Sequence, residues 1–98
     1  MWILQTAEAT EPRLTFRISN GSVKTIGRGT RADFVLDQAL VSRIHCRLTA
    51  AGDELEVHDL SSTNGTFVNG KRVKHAVVKS GDRLRLGRTE LDVERLSN

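Results

Sequence analysis

The stretch Ser61-Ser62-Thr63-Asn64-Gly65-Thr66-Phe67-Val68-Asn69-Gly70 contains two Asn-Gly dipeptides, five residues apart, around a short apolar pair. Asn-Gly marks a tight turn because both residues tolerate a positive φ. The stretch therefore predicts a loop, a very short strand and a turn. Three hydroxyls and one amide precede Gly65, so the loop is also rich in hydrogen-bonding groups.

Two further polar groupings lie upstream of this stretch. Gly27-Arg28 ends one apolar-alternating segment, and Ser42-Arg43-Ile44-His45 begins another. An arginine, hydroxyls and an amide carried on loops of a β scaffold are suited to holding a phosphate group.

Apolar and polar residues alternate through most of the chain, which is the pattern of strands with one buried face. Turn residues recur about every ten positions, and no sustained helical periodicity is present. The sequence therefore predicts an all-β fold, an antiparallel sandwich or barrel. The predicted extended segments are 2–4, 14–18, 23–26, 33–37, 44–49, 55–58, the short apolar pair 67–68, the exposed basic pair 71–72, 83–86 and 91–94.

The composition limits the class of protein. The 98 residues correspond to one domain, with 38% hydrophobic and 28% charged residues and no apolar run long enough to span a membrane. A single cysteine, Cys46, excludes an internal disulfide framework and favours an intracellular location. The net charge of +3 favours anionic partners. Direct nucleic-acid binding is not expected, because no aromatic residues lie near the basic pairs.

Enzymatic arrangements are suggested by two patterns, and neither is complete. The run from Gly27 to Ala32 has the spacing of a dinucleotide fingerprint, but a strand rather than a helix is predicted after it. Ser42, His45 and Asp59 lack a nucleophile elbow. We therefore expect no catalysis and no cofactor, and we expect His45 to make a structural hydrogen bond that fixes the Ser42 loop.

A metal site is also not expected from the sequence. His45, Cys46, His58 and Asp59 carry ligating groups. Successive residues of a strand point to opposite faces, so His45 and Cys46 are poorly placed to share one ion. Cys46 occupies one of the apolar positions of the alternating pattern and is predicted to be a core residue.

The polar groupings, taken in order and with their spacing, closely resemble the pattern of the forkhead-associated (FHA) domain family. They are Gly27-Arg28, Ser42-Arg43-Ile44-His45, Thr63-Asn64-Gly65 and Asn69-Gly70. The resemblance implies an eleven-stranded antiparallel β-sandwich over residues 1–98, working within a larger protein. It also implies binding of phosphothreonine peptides through loops at one end of the sandwich.

The resemblance implies roles for individual residues. Arg28 and Ser42 would donate to the phosphate, Thr63 would line the pocket, and Asn64 would hold the peptide backbone. Arg43 would contact the phosphate or the peptide. Supporting roles fall to four residues, of which Gly27 would allow the turn that presents Arg28: Gly27, His45, Gly65 and Asn69.

Specificity and pathway are less constrained. In the family, the loop before the serine often selects the residue three places after the phosphothreonine, and here that loop, 37–41, lacks the usual charged reader. Met1-Trp2, with the placement of Arg28 and His45, also resembles the start of nibrin-like DNA-damage adaptors. An alternative function is binding of an unphosphorylated partner through a sheet face.

Overall fold

Eleven short strands form two β-sheets that pack face to face. The computed structural model describes residues 1–96, and no helix is present within that range. The strands are β1 (Trp2–Thr6), β2 (Thr15–Ile18), β3 (Val23–Gly27), β4 (Phe34–Val35), β5 (Cys46–Ala51), β6 (Glu54–Asp59), β7 (Thr66–Val68), β8 (Lys71–Val73), β9 (His75–Val78), β10 (Arg83–Leu86) and β11 (Thr89–Arg95).

The first sheet has the strand order β2-β1-β11-β10-β7-β8, and the second has the order β4-β3-β5-β6-β9. The predicted all-β sandwich is therefore confirmed. The pairing is antiparallel apart from β3 with β4, which run parallel with Ile26 opposite Phe34 and Gly27 opposite Val35. This short parallel contact places the chain after Gly27 at the edge of the second sheet.

The core consists mainly of Leu, Ile and Val from the inner faces of both sheets. Leu55 and Val57 of β6 are fully buried, as are Leu84 and Leu86 of β10. Burial of each such side chain contributes about 1.5–3 kcal/mol to folding. Cys46 is fully buried as predicted, and burial raises the pKa of its thiol.

Two predictions about extended segments need correction. The segment 33–37 forms only the two-residue strand β4. Before it the Asp33 carboxylate accepts hydrogen bonds from the Thr25 backbone N–H (2.8 Å) and hydroxyl (3.2 Å), and after it the Gln38 N–H donates to the Leu36 carbonyl at 2.9 Å, which turns the chain away from the sheet. Strand β9 was not predicted from alternation, although it pairs with β6 along its whole length.

The Asn69-Gly70 turn is confirmed. It joins β7 to β8, and its two residues have φ values of 50° and 84°. Two successive positive φ values are those of the turn that suits the twist of a two-residue hairpin.

No helix among residues 1–96 has the length and apolar character needed to cross a membrane.

Candidate functional site

Three loops meet at one end of the sandwich and border an open, shallow hollow of about 320 Å³. They are the loop after β3, the loop before β5 and the loop between β6 and β7. We call this concavity the Arg28 hollow. Its lining contains four of the predicted binding residues, together with three residues of the loop before Ser42: Arg28, Ser42, Thr63 and Asn64, with Ala39, Leu40 and Val41.

Arg28 is held in place through its backbone and through one of its side-chain nitrogens. Its N–H donates to the carbonyl of Ser42 at 2.8 Å, and its Nε donates to the carbonyl of Val41 at 3.1 Å. Among the described residues, its terminal guanidinium nitrogens make no hydrogen bond or ion pair. The guanidinium is therefore oriented, while its two terminal amino groups remain able to donate.

Ser42 and Thr63 are linked across the hollow. The Thr63 backbone N–H donates to Ser42 Oγ at 3.1 Å. Because the Ser42 oxygen acts as the acceptor in this contact, its hydroxyl proton remains able to donate to another group. The exposed Thr63 side chain borders the same hollow.

Asn64 is tied to the wall formed by the loop before β5. Its Nδ2 donates to the carbonyl of Leu40 at 3.2 Å, which leaves its Oδ1 and its second amide proton without a partner in the described chain. Leu40 itself has a positive φ of 70°. A Cβ placed on Gly87, in the turn between β10 and β11, would lie 2.3 Å from the Leu40 carbonyl oxygen. The wall therefore rests directly against the backbone of that turn.

His45 connects two of the three loops from beneath the hollow. The Ser42 backbone N–H donates to His45 Nδ1 at 3.0 Å, and His45 Nε2 lies 2.8 Å from the Gly65 carbonyl oxygen. An Nδ1 that accepts places the ring proton on Nε2, so Nε2 donates to Gly65. The side chain is fully buried, and desolvation lowers the pKa of its imidazole.

His45 therefore makes the predicted structural hydrogen bond to the Ser42 loop. It contacts the backbone of Ser42 rather than the hydroxyl, so the two residues are not arranged as a nucleophile and its base. Asp59, the third residue of that triad, instead accepts hydrogen bonds from Ser62 in the following loop and from Thr66 at the start of β7.

The β6–β7 loop is shaped by a network that the sequence prediction missed. Asp59 accepts from the Ser62 hydroxyl at 2.5 Å and from the Thr66 hydroxyl at 2.7 Å. Ser62 Oγ in turn accepts from the Gly65 N–H at 3.0 Å. Partial burial raises the pKa of the Asp59 carboxyl, but the hydrogen bonds from Ser62 and Thr66 outweigh it, so the net shift is downward. The signal in the sequence was an aspartate three residues before a serine, Asp59 and Ser62.

Gly27 supports the site for a reason other than the predicted one. Its φ is not positive, so it is not needed for a sharp turn. A Cβ at this position would lie 2.1 Å from the Arg43 carbonyl oxygen and 2.9 Å from Ile44 Cα. Glycine is therefore required because β3 passes directly against the backbone of the loop before β5.

Three other predicted residues lie outside the hollow lining. Arg43 borders a separate hollow, together with Gly29, Thr30, Arg31 and Ile44. Gly65 has a φ of 89° and accepts from His45 beneath the loop. Asn69 fixes its hairpin to β10, because its Nδ2 donates to Asp82 at 3.0 Å and its Oδ1 accepts from the Arg83 N–H at 2.9 Å.

Comparison with protein families and curated relatives agrees with this geometry. The model of the family described as "FHA domain" matches residues 24–87. The chain is 40% identical over 79 residues to the ABC transporter ATP-binding/permease protein Rv1747 of Mycobacterium tuberculosis, and it is 40% identical over 65 residues to the glycogen accumulation regulator GarA of Mycolicibacterium smegmatis. The aligned parts cover 81% and 66% of this chain, but only 9% and 41% of those relatives. The chain therefore spans less than half the length of either protein.

Solved structures show the same fold. The FhaA FHA domain, complexed with the intracellular domain of Rv3910, superposes with a TM-score of 0.85 at 35% identity, covering 96% of this chain and 100% of that one. The FHA domain of CT664 from Chlamydia trachomatis has a TM-score of 0.90 at 21% identity, covering 98% of both chains, and supports the fold alone. The resemblance to nibrin-like adaptors is not confirmed by these comparisons. The family match over residues 24–87, together with the eleven-stranded sandwich, establishes that this chain belongs to the FHA domain family.

Proposed function

We propose that this FHA domain is a phosphothreonine-dependent binding module that docks a phosphorylated protein through the Arg28 hollow. The observation that carries the proposal is the convergence of Arg28, Ser42, Thr63 and Asn64, from three separate loops, on one concavity. Each of the four retains at least one hydrogen-bonding group that no described residue uses. The FHA family consists of binding modules rather than enzymes, which also supports the proposal.

The chemistry of the hollow suits a phosphate dianion. A phosphothreonine carries about −1.5 to −2 charges and three strong acceptor oxygens. The terminal amino groups of Arg28 form a planar fork that can donate to two of those oxygens, and the Ser42 hydroxyl can donate to a third. Hydrogen bonds to a charged group contribute about 1.5–3 kcal/mol each, so phosphorylation would be discriminated by several kcal/mol.

The rest of the site suits the peptide that carries the phosphate. The amide of Asn64 is fixed at Nδ2 by Leu40 and offers Oδ1 and its second proton to a peptide backbone. The loops are already held together by His45 and by Asp59, so little ordering is needed on binding. A site that is formed before its ligand arrives loses less conformational entropy on association.

Similar proteins also support phosphothreonine binding by this domain. An FHA domain structure with 34% identity and a TM-score of 0.84 comes from a study of phosphothreonine-dependent FHA domain interactions. In Rv1747 and FhaA the matching segment is 9% and 15% of the protein, and we propose that this domain likewise works as one module of a longer chain. We place it inside the cell, in a signalling complex, because kinases supply its ligand there.

A phosphothreonine peptide library, followed by calorimetric titration of the best sequence, tests the proposal. The phosphorylated peptide should bind, and its unphosphorylated and glutamate-substituted versions should bind at least about a hundredfold more weakly, as two lost charged hydrogen bonds require. Equal affinity for the phosphorylated and plain peptides would contradict the proposal and would favour phosphate-independent binding.

A further inference from the structure

We propose that Glu56, His58 and His75 form a binding site for a divalent transition-metal ion of the zinc class on the outer face of the second sheet. One ligating atom from each side chain lies within 4.8 Å of the other two. The sequence did not suggest this group, because the strand that carries His75 was not predicted.

The register of β6 and β9 creates the site. His58 lies directly opposite His75, and Glu56 lies two residues before His58 on the same face. The neighbours Leu55 and Val57 point inward and are fully buried, so the backbone fixes the outward direction of the other two. The two imidazoles therefore face the same side of the sheet from adjacent strands.

The three side chains are clustered, although the two rings are stacked and their nitrogen lone pairs do not converge on one point. The imidazole rings of His58 and His75 are stacked with centroids 4.1 Å apart, and Glu56 Oε2 lies 3.6 Å from His75 Nε2. Neighbouring ligand atoms of a tetrahedral zinc ion, with bonds of about 2.0–2.1 Å, are roughly 3.3 Å apart. Binding therefore requires side-chain rotations that unstack the two rings and direct one nitrogen of each, with the Glu56 carboxylate, at the same point.

One further observation points to a ligand, and the exposure of the site would allow an ion to enter. Among residues 1–96, His58 Nδ1 is buried without a hydrogen-bond partner, which is costly for a nitrogen that a metal or proton donor could satisfy. The side chains of His75 and Glu56 are 50% and 39% exposed, so an ion can reach them. Arg47, paired with His58 on β5, adds positive charge to this face, and the Glu56 carboxylate offsets it.

The ligand set indicates the kind of ion. Two imidazoles and one carboxylate suit zinc and its neighbours, whereas magnesium and calcium prefer all-oxygen sites. Three protein ligands leave a fourth position for water or for a group from a partner. The ion would also join β6 to β9, which is an edge strand and pairs with the sheet on one side only.

Titration of tag-free protein with ZnCl₂ in a non-chelating buffer tests the site, with heat and thermal unfolding as readouts. We expect saturable one-to-one binding, a higher Tm with zinc, and reversal of both by EDTA. In imidazole NMR spectra the ring signals of His58 and His75 should shift with zinc, while those of buried His45 should not.

Two variants and one control identify the ligands. His75→Ala and Glu56→Gln change exposed or half-exposed side chains and should each weaken zinc binding by at least about tenfold. Glu54→Gln, an exposed position on the same strand, should bind zinc as the parent does. Absence of saturable binding, unshifted His58 and His75 signals, or full affinity in either ligand variant would overturn the proposal. The experiment uses no phosphopeptide, so its outcome is independent of the proposed function.

Discussion

His45 Nε2 donates to the carbonyl oxygen of Gly65 across a distance of 2.8 Å, although the two residues are twenty positions apart in the chain. The other ring nitrogen accepts from the Ser42 backbone. One buried side chain therefore sets the separation of two loops that border the Arg28 hollow.

Replacing His45 should reduce stability and phosphopeptide affinity together. His45→Ala leaves the Ser42 N–H and one acceptor of Gly65 without their partner, and it also leaves a cavity. Loss of about 2–4 kcal/mol in the free energy of unfolding is expected. Urea denaturation measures the stability and calorimetry the affinity. Weakened binding with unchanged stability would mean that His45 acts at the ligand rather than on the loops.

The free energy of unfolding should also decrease in mild acid, because the folded state disfavours protonation of the His45 imidazole. The pKa of His45 is lowered from its ordinary value of 6.5 by desolvation, so the folded state favours the neutral ring. Its contribution is complete above pH 6.5 and is lost as the pH falls through that value towards the folded-state pKa. Urea unfolding between pH 7.5 and 5 measures this loss.

The matched control for this pH dependence is His45→Asn, whose amide oxygen can accept from Ser42 but does not titrate. Its stability should depend less on pH than that of the parent, because the two proteins differ only at position 45 and keep His58 and His75 in common. Identical pH profiles for the two proteins would show that His45 does not cause the loss.

Arg28→Ala should abolish measurable phosphopeptide binding and leave the fold intact, because the exposed guanidinium packs no core surface. Arg28→Lys should recover little, since an ammonium group cannot both donate to Val41 and present a planar fork. Arg17→Ala, which removes an exposed arginine on β2, is the control for lost charge and should bind normally. Retained affinity in Arg28→Ala by calorimetry would contradict the assigned site.

Ser42→Ala and Arg43→Ala should differ although the residues are adjacent. Ser42→Ala removes a donor to the phosphate and the acceptor for the Thr63 N–H, so affinity should fall by about 1 kcal/mol or more. Arg43 borders a separate hollow, and its removal should cost less than that of Arg28. A larger loss of affinity for Arg43→Ala than for Arg28→Ala would mean that Arg43, rather than Arg28, is the main phosphate contact.

Gly27→Ala should destabilise the domain by about 3 kcal/mol or more, because the new Cβ would meet the Arg43 carbonyl, which is backbone and has little freedom to move. Gly52→Ala is the matched control. It has open space around it and a φ of 61°, so only backbone strain of about 1 kcal/mol is expected. Thermal and urea unfolding compare the two, and equal losses would mean that the close approach is relieved elsewhere.

Much of the sandwich was predictable because period-2 alternation reports which side of a strand is buried. Leu55 and Val57 against Glu56 and His58 illustrate this, as does the Asn69-Gly70 hairpin. The strand β9 was not predictable in this way, because its sequence does not alternate: Val77 and Val78 are adjacent valines, of which the first is exposed and the second buried.

The site was predictable to the extent that its residues carry distinctive chemistry. Arg28, Ser42 and Asn64 were identified by residue type and order, and they line one hollow. The requirement for glycine at position 27 and the position of Leu40 were not predictable. Each depends on two backbone segments that are distant in the sequence and lie against each other in the fold.

The close approach of Gly87 to the Leu40 carbonyl makes one wall of the Arg28 hollow depend on a turn near the end of the family match. A larger side chain at Gly87 would displace that wall, although Gly87 itself does not line the hollow. In a genetic screen for lost partner recruitment, replacements at this glycine would consequently be recovered beside those at Arg28. Their origin would be apparent only from the tertiary structure.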